Sequence, residues 1–176
     1  MPNTIAWYPV RVTYGRVMPL KKYLDTKEIK NFVPLIRKTK LVNDKPVFKW
    51  VPAISNYIFI FTTRKKLNEL KNELEERIPI RFLLDRNTGI PQKIPKKETE
   101  YFILVSATLD EQLVYIKPEE VDLHKGDRVK IIGGPFKGVV GTFLRVKGDR
   151  RVVVSIEGIM AVATTFIHPS LIVPVK

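Results

Sequence analysis

The stretch Gly126-Asp127-Arg128-Val129-Lys130-Ile131-Ile132-Gly133-Gly134-Pro135-Phe136-Lys137-Gly138-Val139-Val140-Gly141 leaves the backbone few options. Gly126-Asp127 turns the chain into a strand in which Val129 and Ile131 alternate inward. Gly133-Gly134-Pro135 reverses the chain tightly, because Gly accepts positive φ and Pro presets its own φ. Gly138 lets a second strand start at close backbone contact, and Gly141 marks a bend or bulge in a tightly curved sheet. Two short strands joined this way belong to a small, all-β structure.

The rest of the C-terminal region agrees. Short β-rich runs follow one another at Arg128–Ile132, Val139–Arg145, Arg151–Ile156, Ile159–Ala163 and Leu171–Val173. Turn signals separate them: Lys147-Gly148-Asp149, then Glu157-Gly158 as a two-residue hairpin turn. Five short strands in about fifty residues predict a small closed barrel over residues 123–176.

Upstream the periodicity changes. Trp7–Val12 reads as a strand, followed by a loop at Thr13–Met18. Pro19 suits the first turn of a helix in which Leu20, Tyr23 and Leu24 share a face. Phe32–Leu41 and Val47–Trp50 read as strands joined by the turn-rich Val42-Asn43-Asp44-Lys45, with Pro34 arguing for an edge position. Tyr57–Phe61 is a continuous apolar run, which suits a strand covered on both faces. Thr62 or Thr63 caps a second helix, whose Leu67, Leu70, Leu74 and Ile78 form one apolar face. Arg81–Leu84 is a further strand, Asp85–Gly89 a turn, and Pro95 opens a third helix with Tyr101, Leu104, Val105 and Leu109 on one side. This order predicts an α+β domain over 1–110, a mainly antiparallel sheet flanked by helices. The acidic, Pro118-containing segment 111–122 then reads as a linker with strand character at Leu113–Ile116.

Charge narrows the function. The formal net charge is +13, which favours a polyanionic partner, nucleic acid first. Residues 1–50 hold eleven Lys/Arg against three Asp/Glu, and 123–176 hold nine against three, with an acidic stretch between. The absence of cysteine excludes disulfides, thiolate zinc sites and a cysteine nucleophile. No apolar run approaches the roughly 18 residues of a membrane span, so a cytoplasmic protein is expected. His124 and His168 have no metal-ligand spacing. Gly133 to Gly138 spaces two glycines as a P-loop does, but Val139-Val140 replaces the Lys and Ser/Thr, and Pro135 has no N–H to offer phosphate. Neither an enzyme nor a metal or cofactor is expected.

The Gly126–Gly141 stretch resembles a KOW motif, carried by Gly126, Asp127, Val129, Ile131, Gly134, Pro135, Phe136, Gly138 and Gly141. Trp7-Tyr8, the basic first helix and Asn56-Tyr57-Ile58-Phe59-Ile60 resemble the NGN domain of NusG factors. The resemblance covers about residues 5–110 and 123–175. Ile54-Ser55-Asn56-Tyr57 stands where housekeeping NusG carries Phe-Pro-Gly-Tyr, closer to specialised paralogues such as RfaH or the UpxY antiterminators.

The resemblance implies an NGN domain followed by an SH3-like KOW barrel, in a monomeric transcription elongation or antitermination factor. It implies that the NGN domain takes the clamp helices of the largest RNA polymerase subunit through Trp7, Tyr8, Ile54 and Tyr57. Arg11, Arg16, Lys21 and Lys22 are the matching positions for upstream or non-template DNA. The KOW domain would recruit ribosomal protein NusE or the terminator Rho, with Phe136, Ile156 and Ile159 as an exposed apolar patch. Two alternatives stand beside this: a ribosome-associated KOW protein that binds RNA, and a factor that promotes Rho-dependent termination.

Overall fold

The computed structural model describes residues 4–13 and 15–175, and Tyr14 of the Thr13–Met18 loop lies outside the described residues. The chain forms two compact units, Met1–Lys96 and Lys97–Lys176.

The first unit is α+β. Its four-stranded antiparallel sheet runs β2 (Asn31–Phe32), β5 (Tyr57–Thr62), β1 (Ala6–Val12), β6 (Ile80–Phe82). Tyr8, Val10 and Val12 alternate along β1 onto one face with Ile58 and Ile60 of β5. That face is covered by Val17, Leu20 and Leu24 of α1 (Val17–Thr26) and by Leu67, Leu70 and Leu74 of α2 (Arg64–Leu74). The spacings of three and four in both helices are what make such a stripe. The Thr63 side chain caps α2, accepting from the Lys66 N–H at 3.2 Å. Ile78 lies past the end of α2, its N–H bonded to the Leu74 carbonyl at 2.8 Å. β5 is internal to the sheet, and its Ile58, Phe59 and Ile60 are fully buried.

The expected strand Phe32–Leu41 is two strands. β2 ends at Phe32, and β3 (Leu35–Val42) leaves the sheet to pair only with β4 (Lys45–Pro52). The break falls at Pro34, which has no N–H for a ladder. The Pro34 carbonyl instead accepts from Ala53 at 2.8 Å and closes the base of the ribbon. Its tip is Asn43-Asp44, with φ of 49° and 58°. Positive φ at both positions gives the turn whose twist matches a two-stranded ribbon.

The second unit holds α3 (Lys96–Ser106) and a six-stranded antiparallel sheet. Its order is β12 (Ile172–Pro174), β8 (Asp127–Ile131), β9 (Val140–Val146), β10 (Asp149–Ile156), β11 (Met160–Ala163), β7 (Val114–Ile116). All five expected strands are present. The expected strand character at Leu113–Ile116 is present as β7, but β7 is hydrogen-bonded to β11 with Tyr115 opposite Val162, so its segment is tied into the sheet where a linker was expected; single 3-10 turns follow at Pro118–Glu120 and Leu123–Lys125. Of the face expected to turn inward on α3, Val105 is buried and Leu104 and Leu109 are not. Thr99, Phe102, Val105 and Ser106 are buried, while Leu104 is exposed and Leu109 lies beyond the helix with φ of 53°. Phe102 meets the Tyr115 ring edge-on at 6.5 Å.

Candidate functional site

β1 alternates, so Trp7, Pro9 and Arg11 lie on the face opposite Tyr8, Val10 and Val12. Trp7 is 3% exposed, packs on Phe61 at 5.1 Å between ring centroids, and has the Lys30 ammonium 5.7 Å from its ring. Tyr8 is buried in the core under α1 and α2. Burial pushes the Tyr8 hydroxyl's pKa up, against the pull of Arg64. The structure therefore places both of these expected contact residues inside. Ile54 and Tyr57 are half-buried, in the bend before β5 and at its first position.

Tyr57 is where the expected sites converge. It is the cross-strand partner of Arg11, and Arg11 is in turn opposite Arg81 on β6. Directly opposed residues share a face, so one rung of the sheet presents Tyr57, Arg11 and Arg81 side by side. The Arg11 guanidinium lies 5.9 Å from the Tyr57 ring centroid. Arg11, Val12, Thr13, Ser55, Asn56, Pro79 and Arg81 line a cavity of about 460 Å³. Among the described residues neither guanidinium has a carboxylate partner. Two like charges on one rung repel unless an anion joins them. This end of the sheet can therefore take a carboxylate or phosphate beside an apolar contact on Tyr57. Arg81 was not singled out by the sequence, because its pairing with Arg11 is a tertiary fact.

The remaining basic candidates separate. Arg16 donates from Nη1 to the Arg77 carbonyl at 3.0 Å, joining the start of α1 to the segment after α2. Lys21 pairs with Asp25 at 2.9 Å. The Asn31 amide, followed by Lys21, holds the Asp25 carboxyl below its usual range. Lys22 is exposed and has no such partner among the described residues. Arg11 and Lys22 are thus the open cations of the four.

In the second unit Val129 and Ile131 are buried as expected, and Asp127 opens β8. Gly134 has φ of 76°, and Pro135 and Phe136 continue the turn, with the Lys137 N–H bonded to the Gly134 carbonyl at 3.2 Å. Gly138 is needed for its φ of 94°, since open space surrounds the position of a Cβ there. Close contact occurs instead at Gly126, where a Cβ would meet Leu144, and at Gly141, where it would lie 2.5 Å from the Val153 carbonyl oxygen. Phe136, Ile156 and Ile159 form no exposed patch: they are buried. β10 is buried at Arg151, Val152, Val153 and Val154 and again at Ile156, and Phe136 of the turn is buried as well. Exposed large apolar side chains of this unit are Leu104, Leu109, Ile132, Phe166, Val173 and Val175. A cavity of about 380 Å³, lined by residues including Glu98, Asp122, His124, Glu157 and Met160, is acidic. Burial, then the nearby Glu157, pushes the Glu98 carboxyl up.

The ribbon β3–β4 carries a further group of functional candidates among its exposed residues. Its alternation carried the signal: Lys38, Lys40, Lys45 and Lys49 fall on one face, Phe48 and Trp50 on the other.

The family model described as "Transcription termination factor nusG" matches residues 5–103. A solved structure titled "Domain interaction in Thermotoga maritima NusG" is 22% identical, covers 98% of this chain and 98% of its own, and superposes with a TM-score of 0.46. No curated protein matches.

Proposed function

The chain belongs to the NusG family, and from that premise we propose that it is a transcription elongation factor whose first unit binds the clamp helices of RNA polymerase. The supporting observation is the rung Tyr57–Arg11–Arg81, which lies inside the matched region and offers a half-buried ring beside two unpaired guanidiniums. Tyrosine suits such an interface, since its ring enters an apolar contact while its hydroxyl stays wet. Ile54 borders the same loop, and Trp7 and Tyr8 would support the site from within.

In this reading Arg11 and Lys22 approach upstream or non-template DNA, and Arg16 and Lys21 hold the first helix in place. The second unit is a KOW barrel, with Gly134, Pro135 and Gly138 forming its turn. It recruits ribosomal protein NusE or Rho through surface residues such as Ile132 and Phe166. Ile54-Ser55-Asn56-Tyr57 supports a specialised role of the RfaH or UpxY kind, in the cytoplasm, without catalysis or cofactor. Capture from native lysate tests this reading. Recovery of polymerase supports it, whereas recovery of ribosomal subunits alone favours an RNA-binding ribosomal role. Loss of captured polymerase in Tyr57→Ala, with an unchanged melting temperature, would tie the binding to this rung.

A further inference from the structure

We propose that the β3–β4 ribbon is a duplex-DNA-binding arm that grips phosphates through Lys38, Lys40, Lys45 and Lys49. Among the described residues the ribbon pairs with no other strand. Lys38 is directly opposite Lys49, and Lys40 and Lys45 occupy the same face toward the tip. All four are exposed, and none has a carboxylate partner among the described residues. The acid of the ribbon is Asp44, in its turn.

Two features point to a duplex. Residues i and i+2 of a strand lie roughly 6.8 Å apart, two base-pair rises of about 3.4 Å, so Lys38 and Lys40 can reach alternate phosphates along the duplex axis. A two-stranded ribbon is also of a width that the major groove admits. Lysines at free edges are a common defence against strand pairing between copies. Acids would serve that purpose equally, and a mixture of signs would pair internally. Four charges of one sign on one face are complementary to a polyanion. Besides its lysines the face holds Ile36, Val42, Val47 and Val51, and an ammonium is a compact point charge, so the contact proposed is to phosphates, which position the chain. On the opposite face the Arg37 guanidinium stacks 3.9 Å from the Phe48 centroid.

The inference does not need the polymerase reading, because free DNA tests it. The probe is a labelled duplex of about 30 mixed base pairs, titrated with the full chain at 50 and 200 mM salt. Four phosphate contacts contribute a slope of about −3.6 in log affinity against log salt, or roughly 150-fold between those two concentrations. Replacing all four lysines by Gln should remove most of that dependence and weaken binding at 50 mM by about 100-fold, while replacement by Arg keeps both. Unchanged binding by the Gln variant overturns the proposal. Equal loss in the Arg variant does so as well, as does a loss seen with the matching single strand but not with the duplex. If the quadruple variant melts early, the four single Gln substitutions decide, each lowering the slope by about 0.9 or refuting the contact.

Discussion

The Arg151 guanidinium donates to the Gln112 carbonyl at 2.6 Å, joining residues 39 positions apart. It also donates to the Thr164 carbonyl at 2.9 Å and pairs with Asp149 at 3.1 Å, while the residue as a whole is 7% exposed. A buried cation therefore fastens the segment before β7 to the sheet that β7 joins.

Arg151→Met should cost roughly 2–4 kcal/mol, because charge-assisted bonds are lost and buried acceptors are left unpaired. Thermal melting measures the loss, and limited proteolysis reads the segment directly. Wild type should resist cleavage at Val114–Ile116, and the variant should be cut there early. A variant that melts like wild type would show that the clasp contributes nothing.

Truncating Tyr57 to Ala should weaken binding to isolated clamp helices by about 2 kcal/mol, roughly thirtyfold, with little change in melting. Combined with Arg11→Met, the double variant should show coupling of about 0.5–1 kcal/mol, the size expected of an exposed cation–ring contact. If binding falls only as far as folding does, Tyr57 is a packing residue.

Gly141→Ala should destabilise by about 1–3 kcal/mol through overpacking, since the new methyl would meet backbone at Val153, which cannot rotate away. Gly138→Ala should cost about 1–2 kcal/mol for a different reason, its positive φ. Packing relief by Val153→Ala should not rescue Gly141→Ala, because the obstructing atom is a carbonyl oxygen. Rescue by that change would place the clash on the side chain.

Asp85 accepts from the Thr88 hydroxyl at 2.8 Å, from the Thr88 N–H and from the Asn87 N–H, and these hold its carboxyl below the usual range. A depressed folded-state pKa adds stability above the unfolded value, and that stability is lost as pH falls through the folded value. Asp85→Asn should therefore melt lower than wild type at neutral pH, with the gap closing below about pH 4. A gap that stays constant from pH 7 to pH 3 would rule out the carboxylate as its source.

Much of this fold was legible because apolar spacing reports burial. Leu67, Leu70 and Leu74 named their own face, and Tyr57–Phe61 named an internal strand. α3 was misread because Tyr101-Phe102-Ile103-Leu104-Val105 is apolar on every side, so periodicity had no contrast to choose a face. The strand character at Leu113–Ile116 was legible, but its pairing was not, because the partner, β11, lies far downstream in sequence. At the candidate site, Tyr57 and Arg11 were proposed from the resemblance, whereas Arg81 became visible only through strand pairing. Arg151 gave no signal either, since an Arg at a strand's edge reads as solvated until its burial is seen.

A ribbon that shares no ladder with its neighbours has two open edges, each a template for another copy of itself. Its lysines keep such copies apart at moderate ionic strength. At 1 M salt the screening length falls to about 3 Å, and that repulsion fades while Leu41, Phe48 and Trp50 remain uncovered. Concentrated stocks kept in high salt should then drift toward larger particles, so the buffer that best suppresses nucleic-acid contamination during purification is the one least suited to storage.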